Sequence, residues 1–161
     1  MPKKARIAGI VGALFFVAGA AAAQKAVFVV RHAEKISQED ERLTEAGKAR
    51  GQRLARMLAG AGIAAVYSTD TERTRGTAGP LAEERRLPVT IYDKPKALAE
   101  RVRTEHGGDA ILVVGHSNTV PKLLEAFGCA ESVSIADDEY DNLFVVVPTA
   151  GGPATLVRLR Y

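Results

Sequence analysis

The chain has 161 residues, a formal net charge of +3 and a single cysteine. That length suits one domain with a substantial core, and one cysteine excludes a disulfide framework within the chain. The positive balance belongs to a leader. Lys3, Lys4 and Arg6 precede an uncharged apolar run over residues 7–20, and Ala21-Ala22-Ala23 supplies the small residues of a cleavage site before Gln24. This pattern predicts a secretory signal peptide over residues 1–23 and a domain over residues 24–161, and so an exported protein, periplasmic in a two-membrane bacterium. The apolar run is short for a membrane span, which leaves an uncleaved signal as the one route to membrane attachment. Cleavage removes three positive charges and no acids, leaving 138 residues of zero formal charge, so the basic pI gives no support for nucleic-acid binding.

Val27-Phe28-Val29-Val30 is an apolar, β-favouring run that ends on Arg31-His32, the pattern of a strand buried on both faces with charge at its carboxyl end. A polar, acidic loop over residues 36–42 follows. Leu43-Thr44-Glu45 then opens a helix, with Thr44 as N-cap, Glu45 at the positive dipole end, Leu43, Leu54, Met57 and Leu58 near one face, and Ala46 and Gly47 allowing close approach. Gly60 and Gly62 end it. Ile63 to Tyr67 reads as a second strand running into Ser68-Thr69-Asp70. The next helix starts near Thr71 and carries Arg73, Arg75, Thr77, Ala78 and Leu81, with a kink or break expected near Gly79 because Pro80 removes a helix hydrogen bond. Val89 to Tyr92 is a weak strand, and Pro95 starts a helix whose Leu98 and Val102 face inward. His106 precedes Gly107-Gly108 and reads as a solvated loop residue.

Ala110 to Gly115 is the strongest later strand and ends at His116. Ser117 or Asn118 is expected to cap the helix that follows, with Pro121 in its first turn and Gly128 at its end. Cys129 reads as a small buried hydrophobe, and the acidic residues 137–141 as solvated surface. Leu143 to Val147 and Thr155 to Arg160 form a closing strand pair around Gly151-Gly152-Pro153. Alternating strands and helices predict a three-layer α/β/α sandwich on a mostly parallel sheet, with three strand ends (Arg31-His32, residues 68–73 and His116) on one side. Two histidines, Arg31 and Arg73 together suit a dianion, since arginine contacts phosphate bidentately and a neutral imidazole can attack phosphorus.

These residues resemble a known family. Arg31-His32-Ala33-Glu34 is similar to the Arg-His-Gly motif of the histidine phosphatase superfamily, with Ala33 where glycine is commoner. Leu43-Thr44-Glu45-Ala46-Gly47 resembles its Leu-Thr-x-x-Gly helix start, residues 67–78 its Ser-x-x-x-x-Arg-x-x-x-Thr-Ala segment, and Gly115-His116-Ser117-Asn118 its second-histidine motif. The resemblance implies a phosphoglycerate-mutase-like fold and metal-independent hydrolysis through a phosphohistidine on His32, with no cofactor. Arg31, Arg73 and His116 would form the phosphate pocket, with Ser117 and Asn118 beside them. The arginine implied is Arg73 and not Arg75, counting back from Thr77-Ala78. Many relatives carry an acid proton donor; here the candidates are Glu34 and Asp93. A missing acid would favour good leaving groups. The substrate would be a phosphorylated small molecule or envelope component.

Other readings fare worse. Gly115-His116-Ser117-Asn118-Thr119 lacks the last glycine of a nucleophile elbow, and no histidine follows Ser117 in the chain. No histidine pair has metal-ligand spacing. A mutase fits poorly with a short, exported chain. A catalytically weak module that binds phosphorylated ligands is the remaining alternative. No feature of the sequence points to an oligomeric state.

Overall fold

A computed structural model describes residues 25–161. The expected signal peptide lies outside the described residues. The elements follow in the order β1 (Ala26–Arg31), α1 (Glu45–Leu58), β2 (Ile63–Ser68), α2 (Glu72–Arg85), β3 (Val89–Ile91), α3 (Pro95–Glu105), β4 (Ala110–Gly115), α4 (Val120–Ala126), β5 (Asn142–Val147) and β6 (Thr155–Arg160). The six strands form one sheet ordered β3-β2-β4-β1-β5-β6. The first four run parallel to one another, while β5 runs antiparallel to both β1 and β6. The architecture is thus α/β/α with a mostly parallel sheet.

Central strands are the most apolar, because both of their faces are covered. β4 is buried along its whole length, and Val27, Val29 and Val30 of β1 are fully buried. Alternate residues point to opposite faces and so build two cores. On one side Val29, Ile111 and Val113 meet Leu98 and Val102 of α3 and Leu123 and Leu124 of α4. On the other, Val30, Leu112 and Val114 meet Leu54 and Leu58 of α1 and Ala78 and Leu81 of α2. Cys129 lies buried in the first core, as its small apolar side chain predicts.

Three expectations need correction. The inner face of α1 is Gly47, Gly51, Leu54, Ala55 and Leu58; Met57 and Ala46 are exposed. Pro80 does not break α2, which runs on to Arg85. The last turn is held by Leu81 and Ala82, buried on the core side just after the proline, and the lost hydrogen bond falls where α1 crosses. A Cβ at Gly51 would lie 3.6 Å from both the Gly76 carbonyl and the Pro80 ring. His106 is not a solvated loop residue: its Nε2 meets the buried Tyr67 hydroxyl at 2.9 Å and its Nδ1 meets Asp109 at 3.1 Å.

Candidate active site

Register alone brings the two cleft histidines together. Arg31 pairs with Gly115 in the parallel β1–β4 ladder, so the residues that follow, His32 and His116, leave the sheet side by side. The His32 amide continues the ladder by donating to the Gly115 carbonyl at 2.9 Å, and the two ring centroids are 5.4 Å apart. Their positions are fixed from below by two close approaches. Gly47 of α1 sits so near the 32–34 turn that a Cβ there would be 2.3 Å from the Glu34 carbonyl oxygen. Thr44, the N-cap of α1, donates its amide to that same carbonyl at 3.0 Å. At the other strand end, Gly115 leaves room for Thr119 Oγ1, which accepts the His116 amide at 2.7 Å. Thr119, and not Ser117 or Asn118, therefore holds the turn into α4; Ser117 and Asn118 instead line the cleft.

The tautomers follow from the partners. A carbonyl oxygen can only accept, so His32 Nδ1, 2.8 Å from the Ala33 carbonyl, carries the proton and Nε2 is left with its lone pair. Burial holds His32 far below the ordinary histidine range, at about 4, with Arg31 and Arg73 pushing the same way against the Ala33 hydrogen bond. The ring is neutral at pH 7. For His116, Arg73 offers a guanidinium N–H to Nδ1 at 3.4 Å, and Nε2 donates to Thr69 Oγ1 at 2.8 Å, which passes its own proton on to Thr74. Burial and then Arg73 lower the His116 pKa, opposed by Glu41.

Arg31 and Arg73 are held in the same manner. Arg31 donates NH1 to the carbonyls of Ala136, Asp137 and Glu139 at 2.8, 3.0 and 3.2 Å, and its guanidinium lies 4.3 Å over the Tyr140 ring. Arg73 donates NH1 to Glu41. In each arginine Nε is buried without a partner. A buried donor left unpaired is costly, on the order of 1–3 kcal/mol, and marks a place where an acceptor belongs. Arg75, two residues on, is exposed and pairs with Asp70 at the surface. Residues two apart on a helix point differently, and the start of α2 at Glu72 turns Arg73 inward.

The resulting cleft has a volume of about 440 Å³ and is lined by His32, His116, both arginines, Ser117, Asn118 and Thr119, with Lys35, Gln38 and Asp137 at its polar walls. A larger groove of about 510 Å³ lies between the 36–44 segment and the starts of α1 and α2, but its lining carries no histidine. Chemistry, not volume, selects the cleft. Neither proposed acid reaches it. Glu34 points to α1 and forms a bidentate pair with Arg50, which also binds the carbonyl of Tyr161. Burial pulls its pKa upward, but the Arg50 bonds outweigh it and hold the carboxyl below its usual range. Asp93 is exposed beyond β3, away from the lining. Sequence reasoning missed Glu41, Lys35, Gln38 and Asp137, and it read residues 137–141 as free surface when their backbone binds Arg31. For Glu41 and residues 137–141 the only signal available was acidity, which does not separate the two roles.

The sequence profile of the histidine phosphatase superfamily (branch 1) matches residues 27–95, the span that holds Arg31, His32 and Arg73. Over that span the chain is similar to the histidine phosphatase superfamily. No curated protein matches it. Solved structures of the superfamily share its fold at low identity. The protein histidine phosphatase SixA complexed with tungstate is 20% identical, with a TM-score of 0.65 over 84% of this chain and 96% of that one. A candidate α-ribazole-5′-P phosphatase from Escherichia coli is 17% identical, with a TM-score of 0.68 over 86% and 97%. A mycobacterial glucosyl-3-phosphoglycerate phosphatase complexed with VO3 is 11% identical, with a TM-score of 0.65 over 85% and 98%. The phosphoglycerate-mutase-like fold is therefore the fold of this chain as well.

Proposed function

We propose that this chain is an exported phosphatase that transfers a phosphoryl group to His32 and then hydrolyses it. The observation that carries this reading is the state of His32: buried, neutral, its Nδ1 proton committed to Ala33 and its Nε2 free, beside two arginines whose Nε donors lack partners. A pocket made only to hold a phosphorylated ligand needs the arginines but gains nothing from such a histidine. This disfavours the binding-module alternative.

In the first step the His32 Nε2 lone pair attacks phosphorus; the P–N bond forms as the bond to the leaving oxygen or nitrogen breaks. Arg31, Arg73 and His116 surround the equatorial oxygens, where negative charge gathers in the transition state. The Ala33 carbonyl supports the positive charge that develops on the ring through Nδ1–H. In the second step water attacks phosphorus, the P–N bond breaks and Nε2 regains its lone pair. Of the two carboxylates beside the cleft, Glu41 is engaged by Arg73 and Asp137 is exposed at the rim. Neither is placed as a dedicated proton donor, so the site suits leaving groups that need little protonation, such as phosphohistidine, acyl phosphates or aryl phosphates. The residue pattern before Gln24 supports export and action on envelope or periplasmic phosphate compounds.

The test is a phosphatase screen on residues 24–161 with His32→Ala as control. Rapid quenching should trap phosphate that is acid-labile and base-stable, and EDTA should not slow turnover. A metal requirement, or label that survives acid, would identify a different nucleophile. N-terminal sequencing of exported protein should begin at Gln24; an intact Met1 would refute cleavage.

A further inference from the structure

We propose that Glu41 is the positioning residue for Arg73: its carboxylate fixes one end of the guanidinium so that the other edge faces the transferring phosphoryl group. This rests on the phosphatase reading of the cleft. Glu41 accepts from Arg73 NH1, and the Glu41 side chain is 38% exposed against 16% for Arg73. A guanidinium offers two edges for a bidentate anion, NH1 with NH2 or Nε with NH2. The contact to Glu41 draws NH1, and with it the first edge, toward the carboxylate. The second has donors to spare: Nε is buried without a partner, and NH2 makes one long contact, 3.4 Å to His116 Nδ1. Glu41 thus decides by which edge Arg73 meets the substrate.

The loop that carries Glu41 is built to deliver it. Lys35 and Leu43 form an isolated antiparallel bridge, and the Ile36 amide donates to the Arg42 carbonyl at 2.9 Å. Inside that closure Ser37 Oγ accepts the amides of Glu39 and Asp40 at 3.1 and 3.0 Å, and Asp40 receives the Arg42 guanidinium at 2.9 and 2.5 Å. Every acid and base of the turn except Glu41 is therefore used within the loop or lies at its surface, and Glu41 alone reaches α2. A carboxylate engaged by a guanidinium accepts hydrogen bonds and has no proton to give a leaving group, so its role acts through Arg73.

The test is a double-mutant cycle on the 24–161 protein, with p-nitrophenyl phosphate turnover and tungstate binding as separate readouts. Glu41→Ala should lower kcat by about ten- to hundredfold with a smaller change in KM, because a misplaced arginine harms the transition state most. Glu41→Gln, whose amide oxygen still accepts from NH1, should keep kcat within about threefold. In an Arg73→Ala background, Glu41→Ala should change kcat less than about twofold further, since a residue acting through another has nothing left to act on. Tungstate affinity should fall about tenfold in Glu41→Ala and hold in Glu41→Gln, which reads the same positioning without turnover. Glutamine as damaging as alanine, full additivity with Arg73→Ala, or faster turnover in Glu41→Ala would each overturn the assignment. Unimpaired turnover in His32→Ala would instead defeat the phosphatase reading, while the tungstate series would still judge Glu41.

Discussion

Beneath α3, His106 has both ring nitrogens in use, one on the Tyr67 hydroxyl and one on Asp109, and Arg101 lies 5.6 Å over the Tyr67 ring. In the cleft, His32 uses one ring nitrogen on Ala33 and keeps the other. Both histidines are removed from bulk water and both belong to polar networks. His106, half-buried and away from the cleft, ties elements together, here β2 to the end of α3. His32, with one nitrogen held and the other facing the cleft, has the tautomer that the proposed nucleophile needs. The same division separates the arginines: Arg50 is consumed by Glu34 and Tyr161, whereas Arg31 and Arg73 each keep a buried donor in reserve.

The sharpest way to break this comparison is to remove each histidine. His32→Ala should lower kcat/KM by more than about a thousandfold, as expected when the nucleophile is lost. His106→Ala should leave kcat/KM within about threefold but cost about 1–3 kcal/mol of stability in urea unfolding, because the Tyr67 hydroxyl is left buried and unpaired. A large kinetic loss in His106→Ala would mean that this network reaches the chemistry.

The arginines provide the next largest effect. Arg73→Ala should lower kcat/KM by about two orders of magnitude, roughly 3 kcal/mol of transition-state stabilisation. Arg75→Ala, with its guanidinium at the surface on Asp70, should stay within about tenfold of the parent. Steady-state kinetics on an aryl phosphate decides between them, and equal losses would place both residues in the cleft.

Arg31, His32 and His116 were legible because each stands at or just past a strand end, and Arg73 because α2 opens soon after the end of β2; parallel strands put those ends together. The helix starts at Thr44 and Thr71 were legible for a similar reason, since capping is local chemistry. What the sequence hid was tertiary. Glu41 meets a residue 32 positions away, Arg31 reaches carbonyls more than 100 positions away, and His106 finds Tyr67 across 39. Nothing in a run of acids tells a solvated loop from one whose backbone covers an arginine. Pro80 misled in the opposite direction: the local penalty is real, but burial of Leu81 and Ala82 overrides it.

Titration sharpens the contrast further. The folded His32 takes a proton only near pH 4, whereas an unfolded histidine does so near 6.5. Between those values the unfolded chain binds more protons, so stability is full above about pH 6.5 and falls as pH drops through the window. At pH 5 the parent should have lost about 2 kcal/mol that His32→Ala does not lose, read from urea unfolding at pH 7 and 5. The same depression keeps Nε2 unprotonated, so single-turnover phosphorylation by a donor whose own ionisation is constant should persist at pH 5. A loss of nucleophilicity centred near pH 6.5 would show that His32 is not desolvated.

The smallest effect separates a carboxylate that supports the site from one that works in it. Glu34 follows the proposed nucleophile by two residues, which made it a candidate proton donor, yet its carboxylate turns to Arg50 and away from the cleft. A general acid matters in proportion to how poor the leaving group is: its removal spares aryl phosphates and cripples alkyl ones. A residue that only braces the 32–34 turn shows no such selectivity. Glu34→Gln should therefore keep kcat/KM within about threefold, with the ratio of aryl to alkyl phosphate unchanged, because the pair it weakens faces α1 and not the cleft, so its loss falls on stability rather than on the chemical step. Parallel assays on p-nitrophenyl phosphate and a simple alkyl phosphate measure that ratio. If the alkyl rate alone collapsed, Glu34 would have to swing into the cleft during turnover, and the division between support and chemistry drawn from the resting geometry would fail at that residue.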